Sequence, residues 1–291
     1  MKLVRSFLFV PGNRESMLDK AESVGADALI LDLEDSVPPA EKVAARELVA
    51  GRIEPLSDKE QRVWVRINRS AYLYDLDDLL AVVRPGLEGI FISKPNGPED
   101  VHTASSMIAE AESRNGLAFG TVRLIPLLES ARSMQLCFEI AEIPRVAALV
   151  GSAGKNGDSA RALSLVWSPD RREALYLKSR VVMATRAAGK LPIGGLWHQV
   201  KDLKGQEEAS RLDRQLGMSG ELILHPGQVA VVNRAYSPTA EEIAYYRGMI
   251  EALEKAQAGG RASVLYEGEH IDIAHVTTAR AMIELAEGSR S

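Results

Sequence analysis

The 291-residue chain has a single cysteine, so it can form no intramolecular disulfide. Cys137 falls in a helix-like stretch, Ser133 to Glu142, where a buried inert thiol is the expected role. No apolar run is long enough to span a bilayer, and no basic start leads into an apolar core and cleavage site. The expected compartment is therefore the cytoplasm. The formal charge of -5 is small and the basic residues are scattered, so the basic face of a nucleic-acid binder is missing. The five histidines lack metal-ligand spacing, which argues against a histidine-rich zinc centre. No lysine stands isolated in an apolar setting, so Schiff-base chemistry has little support. There is no P-loop, and Val10-Pro11-Gly12-Asn13 stands where a dinucleotide-binding fold would carry Gly-x-Gly-x-x-Gly.

What is present is a recurring short apolar run bounded by turn residues. The runs are Phe7 to Val10, Ala28 to Leu31, Val63 to Ile67, Gly89 to Ile92, Val122 to Ile125, Val146 to Val150, Leu191 to Leu196 and Glu221 to Leu224. They are near-continuously apolar, the pattern of parallel strands buried on both faces. Helical patterns lie between them, among them Glu15 to Val24, Pro39 to Val49, Pro98 to Ala111, Asp170 to Ala188 and Gln206 to Leu216. Eight such units over roughly 235 residues match a (β/α)8 TIM barrel, with a doubly wound open sheet as the alternative.

A barrel collects its functional groups at the C-terminal ends of the strands. The residues there are Asp32, Glu34 and Asp35 after the second run, and Arg66, Asn68 and Arg69 around the end of the third. Lys94 and Asn96 follow the fourth, Glu129 the fifth, Asp158 the sixth and His225 the eighth. Acidic and basic groups thus converge, as a divalent cation with an anionic ligand requires. On pattern alone, Glu129 and Asp158 read equally as cation ligands or as solvated loop acids. The barrel is expected to span residues 1–236 and a lid extension 237–291. In the extension, Ser237-Pro238-Thr239-Ala240-Glu241 starts a helix to about Ala258, Ala262 to Ile273 forms two short strands turned at Glu267-Gly268, and a last helix begins near His275. That tail reads as too short and polar to hold a core alone.

Several strings in order resemble the citrate lyase beta-subunit-like family, the HpcH/HpaI aldolases with the malyl-CoA and citramalyl-CoA lyases. They are Arg5-Ser6-x-Leu8-Phe9-Val10-Pro11-Gly12-Asn13, Leu31-Asp32-Leu33-Glu34-Asp35-Ser36-Val37, Val65-Arg66-Ile67-Asn68 and Pro126-Leu127-Leu128-Glu129-Ser130. Further on come Ser179-Arg180-Val181-Val182, His225-Pro226-x-Gln228 and Ile271-Asp272-x-x-His275. The resemblance covers essentially the whole chain. It implies a (β/α)8 barrel, a Mg2+ ion and action on acyl-CoA thioesters of hydroxy acids. It also implies that Glu129 and an aspartate after the sixth strand hold the metal. The usual Gly-x-Glu-Asp is replaced by Gly151-Ser152-Ala153-Gly154, and aligning on Trp167-Ser168-Pro169 brings Asp158 to the aspartate position, with a loop lengthened around Lys155 and Asn156. Other departures are Ser93-Lys94-Pro95-Asn96 for Pro-Lys-x-Glu, Ile193-Gly194-Gly195 for Ile-Asp-Gly, and Glu221 for a lysine.

The same resemblance assigns Asp272 as the acid/base aspartate of the lid, often delivered by a neighbouring subunit, which implies a homo-oligomer, a trimer or hexamer. Asp272 also reads as a capping residue before the last helix. Arg66 suits the carboxylate of a 2-keto acid, because a guanidinium binds carboxylates through two nitrogens, or it pairs with Asp32 or Asp35. Glu34 and Asp35 either orient metal-bound waters or cap the next helix. Arg5 either steers an anionic substrate or braces the barrel floor. The expected activity is a Mg2+-dependent carbon–carbon lyase acting on malyl-CoA or citramalyl-CoA and releasing acetyl-CoA with glyoxylate or pyruvate, oxaloacetate being the keto acid of the citryl alternative. The alternatives are a citryl thioester lyase, a malate-synthase-like thioesterase, and a keto acid or acyl-CoA binder without turnover.

Overall fold

The structure, a computed structural model, describes residues 4–151 and 154–288. The chain divides into two compact units, Met1–Asn233 and Arg234–Ser291, with the division inside the helix Val229–Tyr236. The first unit is a closed barrel of eight parallel strands in chain order. They are β1 (Ser6–Pro11), β2 (Ala28–Asp32), β3 (Arg62–Arg66), β4 (Leu87–Ile92), β5 (Arg123–Leu128), β6 (Ala148–Gly151), β7 (Leu191–Gly194) and β8 (Gly220–Ile223). β8 closes on β1 through Ser6 opposite Glu221 and Leu8 opposite Ile223. The expected open-sheet alternative is thereby set aside. β5 runs on past Pro126 to Leu128, beyond the end that the proline suggests in sequence.

The barrel interior is filled by alternate residues of each strand: Phe7 and Phe9, Ala28 and Ile30, Trp64, Phe91, Ile125 and Leu127, Ala148 and Val150, Ile193, and Leu222. Phe7, Trp64 and Phe91 meet edge to face, with ring centroids 5.5–6.1 Å apart. Room for the indole comes from Gly89, where a Cβ would lie 2.3 Å from the Trp64 ring. Continuing the inward rows of β2, β3, β4 and β5 by two residues leads out of the apolar core to Asp32, Arg66, Ser93 and Glu129. The geometry of the site follows from that alternation.

Outside the barrel, the helix Lys42–Ser57 runs beyond the expected Val49 and carries Pro55 in its last turn. The stretch Glu15 to Val24 is broken into the helix Glu15–Leu18 and the 3-10 turn Ala21–Val24, which ends on Gly25 at φ 77°. The buried Cys137 begins the helix Cys137–Ala141, and burial pushes its thiol pKa up, as an inert role requires. Among the described residues, no helix is long and apolar enough to cross a membrane.

The second unit holds the helix Ala240–Ala258, started by a Thr239/Glu242 capping box, then the hairpin β9 (Val264–Tyr266) and β10 (Glu269–Ile271), then the helix Ile273–Gly288. Glu267 and Gly268 turn the hairpin with φ of 46° and 88°, the left-handed pair that a two-residue turn demands. Met249, Leu253, Ile271, Val276 and Ala279 form an apolar cluster backed by Tyr245, Tyr246 and Tyr266. This corrects the expectation that the tail holds no core of its own: its apolar residues are spread along two helices and a strand, and only the fold gathers them.

Candidate active site

Asp32 ends β2 directly opposite Arg66 at the end of β3, and both point inward. Arg66 Nε and Nη2 grip the two Asp32 oxygens at 2.6 and 2.7 Å, and the guanidinium lies 4.6 Å from the centre of the Phe9 ring. Burial pushes the Asp32 carboxyl up, but the Arg66 fork and the contacts to Ser36 and Glu34 outweigh it and hold Asp32 below its ordinary pKa. Arg66 Nη1 lies 3.1 Å from Glu34 Oε2, an ion-pair distance without hydrogen-bond alignment, and 4.0 Å from Asp35. Arg66 therefore forms the pair with Asp32 considered in the sequence and still presents Nη1 to the mouth.

Lys94 is the centre of the mouth, although its sequence context gave it no role. Its backbone is left-handed at φ 53°, and its carbonyl accepts from Arg69. Its ammonium sits 3.2 Å from Glu34, 3.3 Å from Asp35 and 3.6 Å from Asp158. Burial lowers the Lys94 pKa, but Glu34, Asp35, Glu129 and Asp158 raise it further, so the group stays charged. Ser93, the next inward position of β4, donates to Glu34 Oε1 at 2.5 Å. Glu129 follows β5, and its chain direction is fixed by the Ser130/Ser133 capping box that opens the helix Ala131–Gln135. Burial pushes the Glu129 carboxyl up to about 7, opposed by Lys94 and reinforced by Glu34 and Asp158. Its Oε2 is buried with no hydrogen-bond partner. Asp158 opens the helix Asp158–Leu163, pairs with Arg161, and reaches Lys94. The lengthened loop thus brings Asp158 to the same lysine that faces Glu129. Ser152 and Ala153 of that loop lie outside the described residues.

Arg5 does not belong to the mouth. It precedes β1 and grips Asp27, just before β2, through two contacts of 2.8 and 2.7 Å, which places it at the floor end of the strands. The substrate-steering reading is corrected on that ground. Gly194 ends β7 but does not point into the mouth. It faces outward, and a Cβ there would lie 2.9 Å from Asp213 and 3.0 Å from Glu221. The carboxylate missing at Gly194 therefore belongs to the layer outside the sheet, where Glu221 accepts from Gln206 and Ser210. His225 is structural: its Nδ1 accepts from Gly227 N–H at 3.1 Å. In the second unit, Asp272 stands before the helix Ile273–Gly288 and accepts from Ala274 N–H at 3.0 Å, the capping geometry considered in sequence, while about half of its side chain is exposed.

The acids of the mouth fit a divalent cation. The unpartnered Glu129 Oε2 is a buried oxygen in a cluster with Glu34 and Asp158; burial and their charges raise its carboxyl to about 7, and a bound cation would favour its ionised form. Among the described residues, no group of three or more His, Cys, Asp or Glu side chains is arranged to hold a metal ion. A cation on Glu129 and Asp158 would take its remaining ligands from water and substrate, the habit of magnesium.

Comparison with known proteins gives a consistent picture. Residues 5–226 match the HpcH/HpaI aldolase/citrate lyase family. Citrate lyase subunit beta of Leuconostoc mesenteroides subsp. cremoris is 31% identical over 288 residues, 99% of this chain and 95% of that protein. A (3S)-malyl-CoA thioesterase of Cereibacter sphaeroides is 30% identical over 283 residues, 97% and 94% of the two chains. The crystal structure of the protein CitE from Mycobacterium tuberculosis, in complex with magnesium, acetoacetate and coenzyme A, superposes with a TM-score of 0.78 at 26% identity, covering 98% of each chain.

Proposed function

The chain belongs to the HpcH/HpaI aldolase/citrate lyase family, and we propose that this enzyme is a magnesium-dependent carbon–carbon lyase that cleaves a malyl-CoA- or citramalyl-CoA-type thioester into acetyl-CoA and a 2-keto acid. The observation that carries this reading is the buried Glu129 oxygen without a partner, in a mouth where Glu34 and Asp158 converge on Lys94. Glu129 and Asp158 would hold Mg2+, which when bound supplies Lewis-acid polarisation of a keto acid carbonyl. The relatives support this: CitE carries magnesium together with acetoacetate and coenzyme A.

The chain's own groups do the remaining work. Asp32 fixes the Arg66 guanidinium in one plane, so Nη1 meets the substrate carboxylate without first being ordered. Lys94 and Ser93 hold Glu34 in place, and Lys94 keeps the acids of the β2 and β6 loops from repelling one another apart. Asp272 moves the proton at the acetyl α-carbon. The chain works as a homo-oligomer in the cytoplasm, where acyl-CoA substrates are at hand.

Citryl thioester cleavage and thioester hydrolysis are the second reading, favoured by the two relatives of nearly equal identity. The test is incubation of the purified protein with Mg2+ and malyl-, citramalyl- and citryl-CoA, following both keto acid and free thiol. Release of keto acid without thiol from one of the first two is expected. Thiol release points to the hydrolase, and binding of Mg2+ without turnover of any of the three would leave a binding protein and overturn the proposal.

A further inference from the structure

We infer that Asp272 and His275 share one proton, with His275 as the positioning residue that reloads Asp272; this rests on the acid/base role proposed above. His275 Nδ1 lies 2.8 Å from Asp272 Oδ1 and 3.2 Å from the Asp272 backbone nitrogen. These two neighbours have opposite hydrogen-bonding character. When Nδ1 carries a proton it donates to the carboxylate. When it does not, it accepts from the Asp272 N–H. The ring thus keeps a partner in both protonation states and has no need to move when the proton leaves.

The carboxylate is fixed from the other side as well. Ala274 N–H donates to the same Oδ1 at 3.0 Å, and Val276 N–H to the Asp272 carbonyl, which leaves Oδ2 as the oxygen not engaged by this cap. The His275 contact and the Ala274 N–H hold the Asp272 carboxyl below its ordinary pKa. An ordinary aspartate carries no proton at neutral pH, yet an acetyl-CoA enolate must receive one. On the packed elements, Glu254 of the helix Ala240–Ala258 pairs with Arg280 and Glu269 of β10 accepts from the Tyr245 hydroxyl, and the same helix also carries Glu251 and Lys255. His270 is the titratable ring on β10. His275, with Nδ1 2.8 Å from the carboxylate, is the neighbour placed to supply the proton.

The step balances. As the carbon–carbon bond breaks, its electron pair passes to the α-carbon of the thioester and takes the shared proton, forming the new C–H bond. The pair is left as a carboxylate and a neutral imidazole. The hydroxyl proton leaves to water as the keto carbonyl forms, and the half-exposed His275 recovers one from water through Nε2.

Two measurements test this on the full-length chain. The first is a carbon-13 carboxyl titration of Asp272 in wild type and His275→Gln, in which the variant midpoint moves up. The second is kcat against pH. Cleavage needs the protonated pair, so kcat falls as pH rises through its titration. In His275→Gln that limb moves to lower pH and kcat drops by about 10²-fold at neutral pH, with KM little changed. An unmoved Asp272 titration overturns the pairing. So does an unchanged pH profile in His275→Gln when Asp272→Asn is inactive. Normal turnover by Asp272→Asn overturns the acid/base reading instead, and the titration still decides the pairing.

Discussion

Glu129 and Asp158 reach the mouth by different means. Glu129 is the next inward position after Ile125 and Leu127, so the strand itself aims it. Asp158 depends on its loop, on Arg161 and on Lys94. Substituting Glu129→Gln removes a negative donor while keeping shape and burial. Its Mg2+ affinity, read by titration calorimetry, should fall by more than the roughly 10–100-fold that accompanies loss of a group beside a ligand. An affinity equal to wild type would remove Glu129 from the metal site. Asp158 was reached only by aligning on Trp167-Ser168-Pro169 across a lengthened loop, whereas Glu129, directly after an apolar run, was visible in the sequence. The role of Lys94 was not, since a lysine after a strand reads as solvated until the fold brings Glu34, Asp35 and Asp158 around it.

At the scale of elements, the barrel core and the braces behind it set the position of the mouth. Gly89→Ala would drive a methyl group into the Trp64 ring, and overpacking of this kind costs about 1–3 kcal/mol, measurable as a lower urea midpoint. A second brace is Glu112, which is fully buried in the helix Pro98–Arg114. It accepts from Arg145 at 2.8 and 2.9 Å and from the N–H groups of Gly120 and Val122 at 3.0 and 2.8 Å. Burial pushes its carboxyl up, but these donors outweigh burial and hold it below the ordinary range. A carboxylate depressed in the fold contributes stability that is present above its unfolded pKa and lost as pH falls through its folded one. Glu112→Gln should therefore be less stable than wild type at neutral pH, and the gap should narrow steadily below about pH 4. A gap that stays constant down to about pH 2 would show that the carboxylate charge is not what Arg145 needs.

At the scale of the molecule, the acids that would hold the metal and the aspartate that would move the proton lie in separate compact units. If each lid serves a neighbouring subunit, mixed oligomers of Glu129→Gln and Asp272→Asn, each inactive alone, should regain part of the wild-type turnover, because some mouths then pair an intact metal site with an intact lid. Mixtures as inactive as their components would place both groups in one subunit. A sedimentation measurement on the same samples reads the oligomer directly.

The sequence by itself determined the eight strand and helix units, the polar ends where chemistry gathers, and the order of motifs that marks the family, because these are local patterns and spacings. Only the tertiary structure decided which way each residue points. The strands are apolar on both faces, so no alternation in the sequence tells the inside of the barrel from the outside. That is why only the fold shows that Gly194 faces outward to Asp213, and why the Asp32 to Arg66 pairing had to wait for strand register. A lysine encircled by acids from three different loops is a property of closure, which no stretch of the chain contains.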